Sequence, residues 1–280
     1  MASRIGITVL VLGVIGLATW YFTSHPQAQS GVCSGSLLEI TDSLAPFGLP
    51  RGHETEGKLL VKKAYECYHS PRLKVSLWVA YRAEGEDPYG FERYRGKFFA
   101  EPSLQPGQRA EPQDYKGLWR KDKTGLDRGH QAPDATIRRF GLDAQRETYS
   151  LANITPQHSV INQGIWQDLE AAIRTWSSPR SPVWVITGPV FYATQETTWV
   201  GPNRVAVPHA YYLILARGQR PDVQAFLIAN GVQAPFYTSF DQFRVSVDSI
   251  ERLTNFDFLW RLPDSLEDRI EARTTAEPWH

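Results

Sequence analysis

The sequence predicts an α+β fold, and three observations predict it. Residues 73–82 alternate apolar and polar, with Leu73, Val75, Leu77, Val79 and Tyr81 on one face, which is the period of a strand. From Asn162 to about Trp176 the apolar steps lengthen to three and four residues, at Trp166, Leu169, Ile173 and Trp176, which is the period of a helix. Segments of both kinds then mix along 280 residues without a βαβ rhythm, which disfavours a doubly wound parallel sheet.

The first element is the N-terminus. One positive charge, Arg4, precedes an apolar run from Ile5 to Phe22 broken only by threonines and glycines. Such a run reads as a signal peptide or an uncleaved membrane anchor, with the rest of the chain outside the cytoplasm. A mitochondrial transit peptide would be rich in arginine, so that location is disfavoured. The expected division is therefore a leader with linker over residues 1–30 and a single domain over 31–280. Cys33 and Cys67 form an even pair, which in an exported chain suggests a disulfide, although two thiols remain an alternative.

Residues 59–69 and 73–82 read as a hairpin around Ser70-Pro71-Arg72. Residues 84–126 are loop-like and rich in proline and glycine, and a long loop in a compact domain is usually functional. The helix from Asn162 ends at Ser177-Ser178-Pro179. Strands follow at Val183–Ile186, Tyr211–Ala216 and Ala225–Ala229, then a short helix at Val247–Leu253 with Ser246 as its cap.

Net charge is zero, but it is segregated. Residues 120–139 carry a local excess of three positive charges, and residues 241–280 a deficit of four. The basic stretch fits a polyanion partner, although a solvated loop explains it equally well. Gly-x-Ser-x-Gly, the P-loop pattern and His-Glu-x-x-His are all absent, which disfavours elbow-type serine hydrolases, P-loop enzymes and zincins.

The basic stretch contains Asp127-Arg128-Gly129-His130. A histidine titrates near neutrality and can take a proton from water, and an arginine two residues away offers a fork for phosphate. A turn with a satisfied histidine would explain the four residues equally well. A second segment runs from Asn153-Ile154-Thr155-Pro156-Gln157 to Ile161-Asn162-Gln163-Gly164-Ile165-Trp166. Asn162 is either an ordinary helix cap or a neutral oxygen ligand for Mg²⁺. Glu170 and Arg174 are either an i,i+4 ion pair worth about 0.2–0.5 kcal/mol, or holders of metal-bound water and phosphate. At about 100° per residue Glu170 lies roughly 80°, and Arg174 roughly 120°, round the helix from Asn162.

These two segments, in this order and spacing, resemble the DNA/RNA non-specific endonuclease family, of the secreted sugar-non-specific and endonuclease G type. The likeness covers most of the chain after about residue 40, with Ala152 and Ile161 standing where the family has Ser and Leu. The resemblance implies a ββα-metal (His-Me finger) fold with a central, mainly antiparallel sheet flanked by helices. It implies a metal-dependent endonuclease that hydrolyses phosphodiester bonds of DNA and RNA to 5′-phosphates. His130 becomes the general base and Asn162 the protein ligand of Mg²⁺, for which Mn²⁺ would substitute. Glu170 orients metal-bound water, and Arg128 and Arg174 contact phosphate and the transition state. A further upstream arginine is expected. Arg95 is the candidate and Arg93 its rival. Gly129 and Asn153 are expected to be structural, and Asp127 a local structural acid. The implied partners are DNA and RNA through their backbones, with the membrane if residues 5–22 are retained. Assembly is left open, a homodimer included. Two alternatives are a tethered nucleic-acid-binding protein without cleavage and a phosphodiesterase of small nucleotides.

Overall fold

The computed structural model describes residues 44–52, 57–87, 90, 92–122, 125–231, 237, 239–274 and 279. The predicted leader and Cys33 lie outside the described residues. No helix among the described residues is long and apolar enough to cross a membrane. Cys67 is buried, and no disulfide involves it among the described residues.

The fold is α+β. Seven strands form one antiparallel sheet: β1 (Lys58–Val61), β2 (Tyr65–Ser70), β3 (Val75–Ala83), β6 (Val183–Val190), β9 (Ala210–Arg217), β10 (Asp222–Ala229) and β11 (Arg244–Val245), in that spatial order. The segment 59–69, expected as one strand, divides at residues 62–64 into β1 and β2, because Lys62 turns back onto Tyr65. The expected hairpin is β2–β3, with Lys74 at φ 60° in its turn.

The sheet's two faces carry separate cores. Val79, Tyr81, Tyr211, Leu213 and Leu215 face one core, while Trp78, Ala80, Tyr212 and Ile214 face the other. β3 is therefore buried on both sides, and the one-sided pattern read from residues 73–82 understates its burial. Strand β6 extends beyond the expected Ile186 through Thr187-Gly188-Pro189. A Cβ on Gly188 would lie 2.2 Å from the Leu77 carbonyl oxygen, so only glycine lets the strands pass.

Two small ribbons stand apart from the sheet. One pairs β4 (Leu126–His130) with β5 (Ile154–His158), and the other β7 (Thr198–Val200) with β8 (Val205–Val207). Two short helices lie between β4 and β5, α1 (Asp134–Ile137) and α2 (Leu142–Glu147). After β5 comes a compound helix: α3 (Ser159–Ile161), a π-turn (Asn162–Trp166) and α4 (Gln167–Trp176). Leu169 and Ile173 bury its inner face in the first core, each burial worth roughly 1.5–3 kcal/mol. Near the C-terminus α5 (Val247–Thr254) and α6 (Asp264–Glu271) cover the opposite face through Val247, Ile250 and Ile270. The Ser246 hydroxyl caps α5 by accepting from the Ser249 N–H at 3.2 Å.

Candidate active site

The segment that reads as a turn in the sequence is a strand. β4 pairs with β5 in the register Asp127↔Gln157, Arg128↔Pro156, Gly129↔Thr155 and His130↔Ile154. Pro156 has no N–H to give, and a two-stranded ribbon tolerates that where a central strand would not. Gly129 is needed for room. A Cβ there would meet the Gln157 side chain, 2.4 Å from Oε1 and 2.7 Å from Cβ.

Side chains alternate along a strand, so Arg128 and His130 share one face and Asp127 takes the other. The Phe98 ring ties the first two together. Its centroid lies 5.5 Å from that of the His130 imidazole and 5.2 Å from the Arg128 guanidinium carbon. Tyr149 meets His130 edge-on at 5.4 Å. The His130 Nε2 is covered and has no hydrogen-bond partner among the described residues. Burial pulls the imidazole down to about 4. Arg93 adds to the fall, and Asp134 opposes it. The ring is therefore neutral at physiological pH.

Asp134 accepts from the Tyr149 hydroxyl at 3.0 Å and from Arg93 Nη2 at 3.2 Å. Arg93, itself more than half exposed, thus reaches the acid near the histidine, and Arg95, the preferred reading of the sequence, is exposed on the same loop. The physical reason is Asp134, an acid the sequence reading passed over although it follows the motif by four residues.

The helix joins the ribbon through Asp127. Its carboxylate accepts from the Ser159 hydroxyl at 2.7 Å, from Asn162 Nδ2 at 2.9 Å and from Gln163 Nε2 at 2.8 Å. Asn162 is not a helix cap, the structural alternative to its reading as a metal ligand. Helical structure already begins at Ser159, and Asn162 has helical angles of φ −58° and ψ −44°. It opens the π-turn, in which Gly164 leaves helical geometry at φ −122° and ψ −117°. The 80° and 120° offsets from Asn162, which assume a regular helix, therefore do not carry across this turn.

Glu170 and Arg174 both lie in the regular part, α4. No ion pair joins them, in contrast to the structural alternative. Arg174 Nε instead donates to Glu86 Oε1 at 2.8 Å, in the loop after β3. Burial pushes the Glu170 carboxyl up to about 8, with Arg174 opposing and Asp134 adding. Asp134 acts on both His130 and Glu170, so ribbon and helix share one electrostatic neighbourhood.

Asn153 braces the site from behind. Its Oδ1 accepts from the Ala132 N–H at 2.8 Å, and its Nδ2 donates to the Ala132 and Thr148 carbonyls at 2.9 and 3.0 Å. It is fully buried, so its Asn-x-Thr sequence is closed to modification in the folded chain. Phe98, Tyr149 and Glu86 are further neighbours that sequence reasoning missed, since nothing in their spacing ties them to the motif.

Comparison with known proteins identifies the family. The profile of the DNA/RNA non-specific endonuclease family matches residues 49–265. A nuclease of Serratia marcescens is 31% identical over 270 residues, covering 95% of each chain. The mitochondrial endonuclease G of Homo sapiens is 30% identical over 230 residues, 77% of this chain and 73% of that protein. A solved structure of EndoG in complex with EndoGI shares the fold, with a TM-score of 0.69 at 23% identity, over 81% of this chain and 94% of that one. With its ribbon, its helix and a family match spanning most of its length, this chain belongs to the DNA/RNA non-specific endonuclease family and is a metal-dependent endonuclease.

Proposed function

We propose that the chain hydrolyses phosphodiester bonds of both DNA and RNA, without regard to base sequence, and leaves 5′-phosphates. The observation that supports this most is the bond from Asn162 Nδ2 to Asp127 Oδ2, 2.9 Å long. A carboxylate accepts only from the NH₂ end of an amide, so Asn162 presents Oδ1 elsewhere. A neutral amide oxygen, with the Glu170 carboxyl further along the same compound helix, suits a hard cation that keeps most of its waters.

Asn162 would hold Mg²⁺, or Mn²⁺ in its place, with Glu170 holding water beside it, and the bound ion would supply Lewis acidity toward the phosphate and the leaving 3′-oxygen. His130 enters as the neutral base and takes the proton of the attacking water. Phe98 and Tyr149 keep its ring in place and cover one edge. Arg128 faces the same side as His130 and offers positive charge to the phosphate. Arg174 does so from the helix, where phosphate would replace Glu86. We assign the upstream arginine to Arg93 because its guanidinium reaches Asp134. All these groups address phosphate, so base identity and the 2′-hydroxyl matter little. We also place the domain outside the cytoplasm, with residues 5–22 as leader or anchor. Recovery in a mitochondrial fraction, in keeping with the names of some relatives, would contradict that placement.

The test uses the purified chain with plasmid DNA and a folded RNA, in Mg²⁺ and in EDTA. Both substrates should be cut in Mg²⁺ and neither in EDTA. Product ends should accept kinase labelling only after phosphatase treatment. Cutting in EDTA would overturn the metal requirement. Labelling without phosphatase would overturn the product assignment. Binding without cutting would favour the tethered binder, and cleavage of dinucleotides alone the small-substrate enzyme.

A further inference from the structure

A second group of oxygen donors lies on the two C-terminal helices. Asp248 and Glu251 sit one turn apart on α5, and Glu271 ends α6. One carboxylate oxygen of each lies within 4.8 Å of the others. An acidic cluster alone means little, because charged side chains gather at surfaces. Glu271 differs. It is 6% exposed, and its Oε1 has no hydrogen-bond partner among the described residues. A buried carboxylate oxygen is costly unless a proton or a cation satisfies it. Glu251 is fixed from behind, its Oε1 accepting from the Phe258 N–H at 2.9 Å.

The surroundings add negative charge. Burial, then Glu251, Glu267, Asp248 and Asp257, all push the Glu271 carboxyl upward, to about 8. The nearby Arg51 acts on Glu267, but its guanidinium carbon lies over Trp260, 3.0 Å from the ring centroid. This neighbourhood is also distinct from Asn162. Helices α5 and α6 pack on one face of the sheet, while α4 packs on the other.

We propose that Asp248, Glu251 and Glu271 form a second site, for a hard divalent cation of calcium size, that clips α5 to α6. Calcium takes oxygens at about 2.3–2.6 Å, so two of its ligands stand up to about 5 Å apart, whereas magnesium holds them within about 4 Å. The three oxygens lie within 4.8 Å of one another, inside the span that calcium bridges. The carboxylates contribute charge, and water completes the shell.

The test is thermal unfolding of the full chain, stripped with EDTA and then titrated with CaCl₂. The Asn162→Ala variant is run in parallel, so that the proposed catalytic ion cannot account for the result. We expect Tm to rise by about 5 °C at a hundredfold excess of calcium over its Kd. The rise should persist in Asn162→Ala and vanish in Asn162→Ala combined with Glu271→Gln. No rise in Asn162→Ala would overturn the proposal, and so would an equal rise after Glu271→Gln. Should Glu271→Gln not fold, Asp248→Asn on the same background decides by the same two outcomes. A proton shared among the acids predicts the first overturning result, a Tm that ignores calcium.

Discussion

Asp127 accepts three side-chain hydrogen bonds at the junction of ribbon and helix, from Ser159, Asn162 and Gln163. It is the residue on which the orientation of Asn162 depends. Its structural role was legible in the sequence, but its partners were not. They lie more than thirty positions away, and only the ribbon's packing brings them near. Replacing Asp127 by Ala frees the amide of Asn162 to turn. Partners that orient a ligand are typically worth 10–100-fold in metal affinity or activity. The Mg²⁺ concentration for half-maximal cleavage should therefore rise by roughly 10–100-fold, with a smaller change in the rate at saturating Mg²⁺. An unchanged Mg²⁺ titration would remove Asp127 from this role. Arg174 carries the opposite lesson. Its spacing from Glu170 suggests an i,i+4 pair, yet a long side chain reaches the better exposed Glu86 instead. A wheel places residues on a face, but it does not choose among partners from another element.

The compound helix and the β4–β5 ribbon were legible to different degrees. The helix's end at Trp176 and its apolar stripe follow from period and the Ser177 stop. Its start at Ser159 and the π-turn do not, because a single inserted residue leaves almost no trace in a hydrophobic pattern. The ribbon was hidden for another reason. Gly129 and Pro156 are strand breakers by propensity, and they sit opposite neighbours in the register. Tertiary contact overrides them: Gly129 leaves room for Gln157, whose Cβ cannot swing away. Gly129→Ala should therefore destabilise the fold by about 1–3 kcal/mol, as overpacking does, read from urea denaturation. A neutral result would mean that the two strands separate at little cost.

The sheet as a whole encloses titratable groups whose burial couples stability to pH. His69, on β2, is fully buried, and its Nε2 lies 3.0 Å from the Gln108 carbonyl, which accepts its proton. Burial lowers its pKa from 6.5 to about 4, against the pull of that bond. The unfolded chain binds this proton near pH 6.5, and the folded chain only near 4. Between those values the unfolded state holds more protons, so stability falls as pH drops through the window and the loss is complete below it. For His69 the loss amounts to at most about 3 kcal/mol. Denaturant midpoints at pH 7 and pH 4 should differ less in His69→Gln than in the parent chain, and an equal difference would contradict this. The sheet order was beyond the sequence, since the neighbours β3 and β6 are separated by about a hundred residues and a pattern fixes faces rather than partners. This frame holds a neutral His130, which we propose as the base of a metal-dependent cleavage. The most direct measurement is single-turnover plasmid cleavage at saturating Mg²⁺ by the parent chain and by His130→Ala, each checked for an unchanged melting curve. His130→Ala should lose at least ~10²-fold in rate. Equal rates from two equally folded proteins would contradict it.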